Sequence, residues 1–261
     1  MKSEKLRAEI LKLSEGILST VVDIVLWEMV YLGEAATTFS RNTWEPKVKA
    51  DRFLESINFE TIKRAFERAR EKGWVKRTKR KRVWPEITKA GKKRLASLIP
   101  QYDKNRVWDK RLYLVTYDIP EKRKKDREVL REYLKRLGSG LVQESVWLTP
   151  YNPREILQEF IEERGLKGTI IISDVGQDGN TGEEDIRDLV VRVYKLDEIN
   201  KAYKEFLEKY ENSKIATTEV YFAYLRILRK DPQLPFELLP SYWLGEKAYK
   251  AFLKGSPKLN F

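Results

Sequence analysis

Histidine and cysteine are both absent from this 261-residue sequence. Without cysteine there is no disulfide, no thiolate zinc site and no thiol nucleophile. Without histidine there is no imidazole base, no Ser-His-Asp triad, no H-E-x-x-H metal site and no imidazole-held cofactor. Chemistry would fall to carboxylates, Lys, Tyr or a hard cation such as magnesium held by carboxylates. Neither G-x-x-x-x-G-K-[ST] nor G-x-G-x-x-G occurs, so no nucleotide-cradling loop is signalled. No uncharged apolar run reaches the ~18 residues of a membrane span. The N-terminal stretch MKSEKLRAEILKLSEG sets acids among its apolar positions and lacks a signal-peptide core. The expectation is a cytoplasmic protein without membrane or cofactor, long enough for two or three small domains.

What the chain has is positive charge, concentrated in one place. Residues 60–94 carry 15 Lys/Arg and 4 Asp/Glu, which is +11 of the whole-chain +12. Such a field is the footprint of a surface for polyanions. The sequence beneath it has helical period over 60–72, with Ile62, Ala65, Phe66 and Ala69 on one face and charge on the other. Gly73 stops that helix. Two short strands, Trp74–Arg77 and Arg82–Ile87, are expected next around a basic tip at 78–81, then a helix near Ala90–Leu98. Helix, glycine stop and basic hairpin spell a winged helix-turn-helix. Trp74 and Trp84 are expected to anchor the hairpin on a core.

Lys63, Arg64, Glu67 and Arg68 would project into a major groove, where the Arg fork matches the acceptors of guanine. Glu67 could accept from cytosine or hold Arg64 or Arg68 by a helical ion pair. Lys76, Arg77, Lys79, Arg80, Lys81 and Arg82 would sit on phosphates or enter a minor groove. The partner implied is double-stranded DNA, read by a homodimer on a pseudo-palindromic site.

The remaining segments are read by period. A helix over 4–32, bent near Ser14–Gly16, precedes a polar connection at 33–46 and a short helix at 47–55. After a linker at 100–108, Leu112–Asp118 reads as a strand and Glu121–Leu137 as a helix with Val129, Leu130, Tyr133, Leu134 and Leu137 inward. Leu141–Thr149 reads as extended with a break, Pro153–Arg164 as a helix and Gly168–Asp174 as a buried strand. This β-α-β-β-α-β order is that of a ferredoxin-like domain. The loop 176–184 is solvent-exposed, because Gly182 stands where an EF-hand needs a ligand. Leu189–Leu196 reads as a further strand or extended segment. Helices follow at Asp197–Tyr210, Thr217–Lys230 and Glu246–Leu253. The expected fold class is α+β, with a winged helix-turn-helix at 1–100, a ferredoxin-like dimerisation domain at 108–197 and a helical domain at 198–261.

Two stretches resemble the PaaX family of bacterial repressors. One is LYLVTYDIPEKRKKDREVLREYLKRLGSGLVQESVWLTP at 112–150, a strand closing in Tyr-Asp-Ile-Pro, a charged helix, a glycine and Gln-x-Ser-Val-Trp. The other is the closing segment DPQLPFELLPSYWLGEKAYKAF, in which Leu244 stands where the family usually has proline. The resemblance implies release from DNA by a small-molecule effector, such as an aryl or acyl coenzyme A. Trp147, Tyr151, Tyr221, Tyr224, Tyr242 and Trp243 are candidate walls for it.

The middle domain also resembles the CRISPR-associated ferredoxin-fold endonucleases of spacer adaptation. That resemblance implies an alternative, a magnesium-dependent nuclease in which Asp118 pairs with its twin across a dimer. Against it, Asp118 could cap the helix that begins at Pro120.

Overall fold

The computed structural model describes residues 14, 17–18, 20–38, 59–76, 86–176, 185–211 and 218–255. The expected helices at 4–13 and 47–55, the hairpin tip at 77–85 with Trp84, and the loop at 177–184 lie outside the described residues. The chain divides into two compact units. One comprises 1–102, 202–230 and 244–261, the other 103–201 and 231–243.

In the first unit, Ser14 stands in a turn and Thr20 opens α1 (Val21–Thr38). The Thr20 hydroxyl accepts from the Asp23 N–H at 3.1 Å and donates to Asp23 Oδ2 at 2.7 Å, a capping arrangement for the first turn. The helix runs through Gly33, so the polar connection expected from residue 33 begins only after Thr38. One interior glycine weakens a helix by about 1 kcal/mol, which flanking good helix formers offset.

Next come α2 (Phe59–Glu71), the strand pair β1 (Val75–Lys76) and β2 (Glu86–Ile87), and α3 (Lys89–Leu98). Ala65 and Ala69 are buried on α2, as its period requires. Further along the chain this unit contains α8 (Thr218–Leu228), buried on nearly all sides, and α9 (Gly245–Gly255). Its core is aromatic. Trp27 lies 5.5 Å from Tyr221 and 5.0 Å from Phe222, and Tyr224 stacks on Phe252 at 4.3 Å.

In the second unit, β3 (Leu112–Asp118) leads through a 3-10 turn at Glu121–Arg123 into α4 (Lys124–Arg136). A hairpin follows, β4 (Gly140–Gln143) and β5 (Val146–Thr149), then α5 (Arg154–Arg164) and β6 (Thr169–Gly176). The sheet order is β4-β5-β3-β6, antiparallel throughout. This is the ferredoxin-like split β-α-β arrangement.

Strand alternation splits the core in two. Val115, Tyr117 and Trp147 face α4 and α5, where Leu130, Leu134, Leu157 and Phe160 are buried with them. Val129 departs from its expected inward position and is 39% exposed. At 100° per residue it sits beside Leu130, not on the stripe formed by Leu130, Tyr133, Leu134 and Leu137.

The other face carries Leu112, Leu114 and Leu148. It is covered by α6 (Ile186–Tyr194) and by Leu234, Leu238 and Trp243. Residues 189–196 were expected to be extended. Instead 189–194 are helical, and Lys195 closes α6 in the left-handed region at φ 54°. Asp185 caps the helix by accepting from the Arg187 N–H at 2.7 Å. Burial of Val190 and Tyr194 four residues apart on the sheet outweighs the strand preference of four β-branched or aromatic residues. The close approach needs Gly140, because a Cβ there would lie 2.4 Å from Val193 Cγ1. A final helix, α7 (Leu196–Tyr210), starts in this unit and ends in the other.

Candidate nucleic-acid interface

The end of α2 is built from backbone bonds. Gly73 takes φ 69°, the Trp74 N–H reaches the Ala69 carbonyl at 2.8 Å, and the Gly73 N–H reaches the Arg70 carbonyl at 2.9 Å. This is the Schellman closure that a left-handed glycine permits. It turns the chain at once into β1, which pairs antiparallel with β2 as Val75 with Ile87 and Lys76 with Glu86.

Thr88 then ties the return strand to the helix end. Its hydroxyl donates to the Gly73 carbonyl at 2.7 Å and accepts from the Gly91 N–H at 3.2 Å, while its own N–H donates to the Trp74 carbonyl at 2.9 Å. Gly91 is required there, since a Cβ would stand 2.3 Å from the Trp74 carbonyl oxygen. Helix, hairpin base and following helix therefore share one backbone junction.

A buried charge pair sits behind it. Asp23 is 0% exposed and accepts from Arg94 Nε at 3.0 Å and Nη2 at 2.9 Å. The same guanidinium lies 4.6 Å from the centre of the Trp74 ring. Trp74 is half-buried against this pair, which supports its expected anchoring role. Asp23, Thr88, Gly91 and Arg94 escaped the sequence reading. Arg94 was visible only as one more cation in the basic window, and its partner lies 71 residues away.

On the outward side of α2, Lys63, Arg64, Glu67 and Arg68 are all exposed. Spaced one, three and four apart, they occupy one face opposite buried Ala65 and Ala69. Among the described residues none of these four enters an ion pair, so the expected bridge from Glu67 to Arg64 or Arg68 is not formed. Lys76 is exposed and pairs with Glu86 at 2.8 Å. Arg77, Lys79, Arg80, Lys81 and Arg82 lie outside the described residues.

Asp118 ends β3 opposite Thr169, exposed. It does not cap the following turn, whose N-terminal residue is Pro120 with no side-chain hydrogen bond. Among the described residues no group of three or more carboxylates gathers as a metal site. Asp118 thus offers a cation one carboxylate, fewer oxygens than magnesium commonly draws from protein, phosphate and water together.

The six aromatic candidates for an effector wall fall in several places. Tyr221 and Tyr224 are buried in the aromatic core of the first unit. Trp147 is buried on the helix-covered face of the sheet, whereas Trp243 packs on the opposite face. Tyr151 follows β5 and is 40% exposed, with burial raising its hydroxyl above the usual phenol value. Tyr242 is exposed and donates to Asp197 at 2.7 Å, and that bond raises its hydroxyl too.

Two family models match the chain. Residues 105–186 match the PaaX protein central Cas2-like domain, and residues 194–260 match the PaaX-like protein C-terminal domain. No curated protein matches the sequence. Among solved structures, the uncharacterized protein Rv0674 from Mycobacterium tuberculosis is similar at a TM-score of 0.57 and 22% identity. The match covers 90% of this chain and 93% of that one. At that identity the likeness is one of fold. Both family models fall in the order the sequence motifs require and together span more than half of the chain, so the chain belongs to the PaaX family of transcriptional regulators.

Proposed function

We propose that this protein is a DNA-binding repressor of the PaaX type, reading a pseudo-palindromic duplex as a homodimer and released by a small-molecule effector. The observation that carries this reading is the outward face of α2, on which Lys63, Arg64 and Arg68 are exposed beside Glu67. Arg64 and Arg68 read base edges, Lys63 sits on phosphate, and Glu67 accepts from a cytosine amino group. Lys76 with Arg77, Lys79, Arg80, Lys81 and Arg82 form a wing on the phosphates. An acyl coenzyme A is the effector class the family suggests.

The test is fluorescence anisotropy with the native upstream duplex and a shuffled one, each with EDTA and with magnesium, followed by a denaturing gel. Metal-independent preference for the native duplex, with the DNA intact, supports the repressor. Equal binding to both, with magnesium-dependent cutting that Asp118→Asn abolishes, overturns it in favour of a nuclease.

A further inference from the structure

The sheet of the second unit is open at one edge. β6 pairs with β3 on one side only and ends the strand order. The opposite edge strand, β4, has four residues and an irregular register between Leu141 and Gln143. β6 has eight, and its register with β3 is regular from Thr169 to Asp174, with the irregularity beyond. An edge of this length displays a row of unpaired backbone donors and acceptors, and native proteins usually blunt such edges with charge, proline or a bulge. Here Gly168–Ser173 reads GTIIIS, with none of these.

The side chains of this edge are uneven. Ile170 and Ile172 turn toward the core beneath α4 and α5, while Thr169, Ile171 and Ser173 point to the other face and are exposed. Ile171 is 54% exposed, a large apolar residue with no described cover. The layer of α6 and residues 234–243 that buries the rest of this face reaches Val175 but not Ile171.

We infer that a second copy of this chain pairs with β6 along this edge, antiparallel, about a two-fold axis at Ile171. In that register Ile171 meets its twin, Thr169 faces Ser173 of the second copy, and Ile170 faces Ile172. Opposed residues keep to one face, as an antiparallel ladder demands. No like charges oppose each other. Asp174 faces Gly168 of the second copy and stands next to its Lys167, so each end of the ladder carries an opposite-charge pair. The alternative of sheets meeting face to face is closed to this chain, because its own α6 and residues 234–243 already occupy that face.

The arrangement also bears on Asp118. Three strand spacings separate the two β3 strands, about 14 Å, and the offset along the strands adds about 13 Å. The twin carboxylates stand roughly 20 Å apart, too far to share a cation.

This inference rests on the dimeric repressor read above, and its test separates the two. Because the protein has no cysteine, Ile171→Cys introduces a sole thiol. Directly opposed residues of an antiparallel pair have Cα atoms about 4.5–5.5 Å apart, within the disulfide range of about 4.4–6.8 Å. Under mild oxidation, full-length Ile171→Cys forms a covalent dimer. Thr169→Cys and Ser173→Cys alone stay uncross-linked, because each lies four residues out of register with its twin. An equimolar mixture of those two variants does cross-link. In sedimentation, Ile171→Lys shifts the protein from dimer to monomer while its melting temperature stays near that of the parent. A parent that sediments as a dimer while Ile171→Cys gives no cross-link overturns the β6 interface and leaves the dimeric repressor standing. A parent that sediments as a monomer at tens of micromolar, with no cross-link, overturns both.

Discussion

The two units treat charge in opposite ways. In the ferredoxin-like unit, cations are matched close by. Arg111 pairs with Asp174, Arg127 with Glu121 at 2.6 Å, and Lys135 with Glu132 at 2.7 Å. The Gly176 N–H and then Arg111 hold the Asp174 carboxyl below the usual carboxylate range. In the helix-hairpin unit, Lys63, Arg64 and Arg68 stand exposed, while the one fully buried carboxylate, Asp23, is given to Arg94. Exposed matched pairs neutralise a scaffold and add little stability. Unmatched exposed cations leave a field for a polyanion, and a buried pair holds the helix and hairpin that display it.

The largest effect in this contrast is expected at the buried pair. Arg94→Ala leaves Asp23 buried without its partner, which costs about 3 kcal/mol, the lower end for buried pairs because Arg94 is partly exposed. Thermal melts should show the loss clearly. Arg111→Ala, which breaks an exposed pair of the scaffold, should leave the melting temperature within error of the parent. Equal effects of the two substitutions would abolish the distinction between the units.

The exposed cations come next, with the reverse signature. Arg64→Ala and Arg68→Ala should each weaken binding of the native duplex by about 1–3 kcal/mol and relax sequence preference. Melting temperature should not change. Equal weakening on native and shuffled duplexes would mean that these arginines touch phosphate only. If six cations per subunit contact phosphates, a plot of log K against log salt should have a slope of about −5 per subunit. A shallow slope would leave the concentrated field without a role in binding.

The smallest expected effect is alkaline. Each unit buries a tyrosine whose hydroxyl is pushed far above the ordinary phenol value by desolvation, Tyr221 in the first and Tyr194 in the second. The unfolded chain ionises these groups near pH ~10, while the folded chain keeps them protonated. Stability is therefore complete below that pH and declines as pH rises through and beyond it. Tyr221→Phe should blunt the decline in the first unit and Tyr194→Phe in the second. Melts at pH 8 and pH 11 check this. Tyr194→Phe also removes the hydroxyl's 2.7 Å bond to the Leu148 carbonyl, which lowers stability at both pH values by about 1 kcal/mol.

Much of this was legible along the chain. The strand Leu112–Asp118 and the helix ended by Gly73 were readable because period and stop signals are local. The cationic face of α2 was readable for the same reason, since residues three and four apart share a helix surface. Residues 189–194 were misread because β-branched residues favour strands only when a sheet neighbour is available. Here the sheet was already complete, and a helix laid across its face buried Val190 and Tyr194 instead. β6 was read as buried from its three isoleucines, yet it is an edge. Strand order depends on which partners a strand finds, and composition does not carry that.

The sequence by itself determined where the positive charge lies, which chemistries lack their residues, and the β-α-β-β-α-β order, because composition and short-range period are properties of the chain. Only the tertiary structure decided that Arg94 is an internal partner of Asp23, that the second face of the sheet is covered by α6, and that Ile171 is left exposed at an open edge. Each of these depends on segments far apart in sequence meeting in space, where burial outweighs local preference.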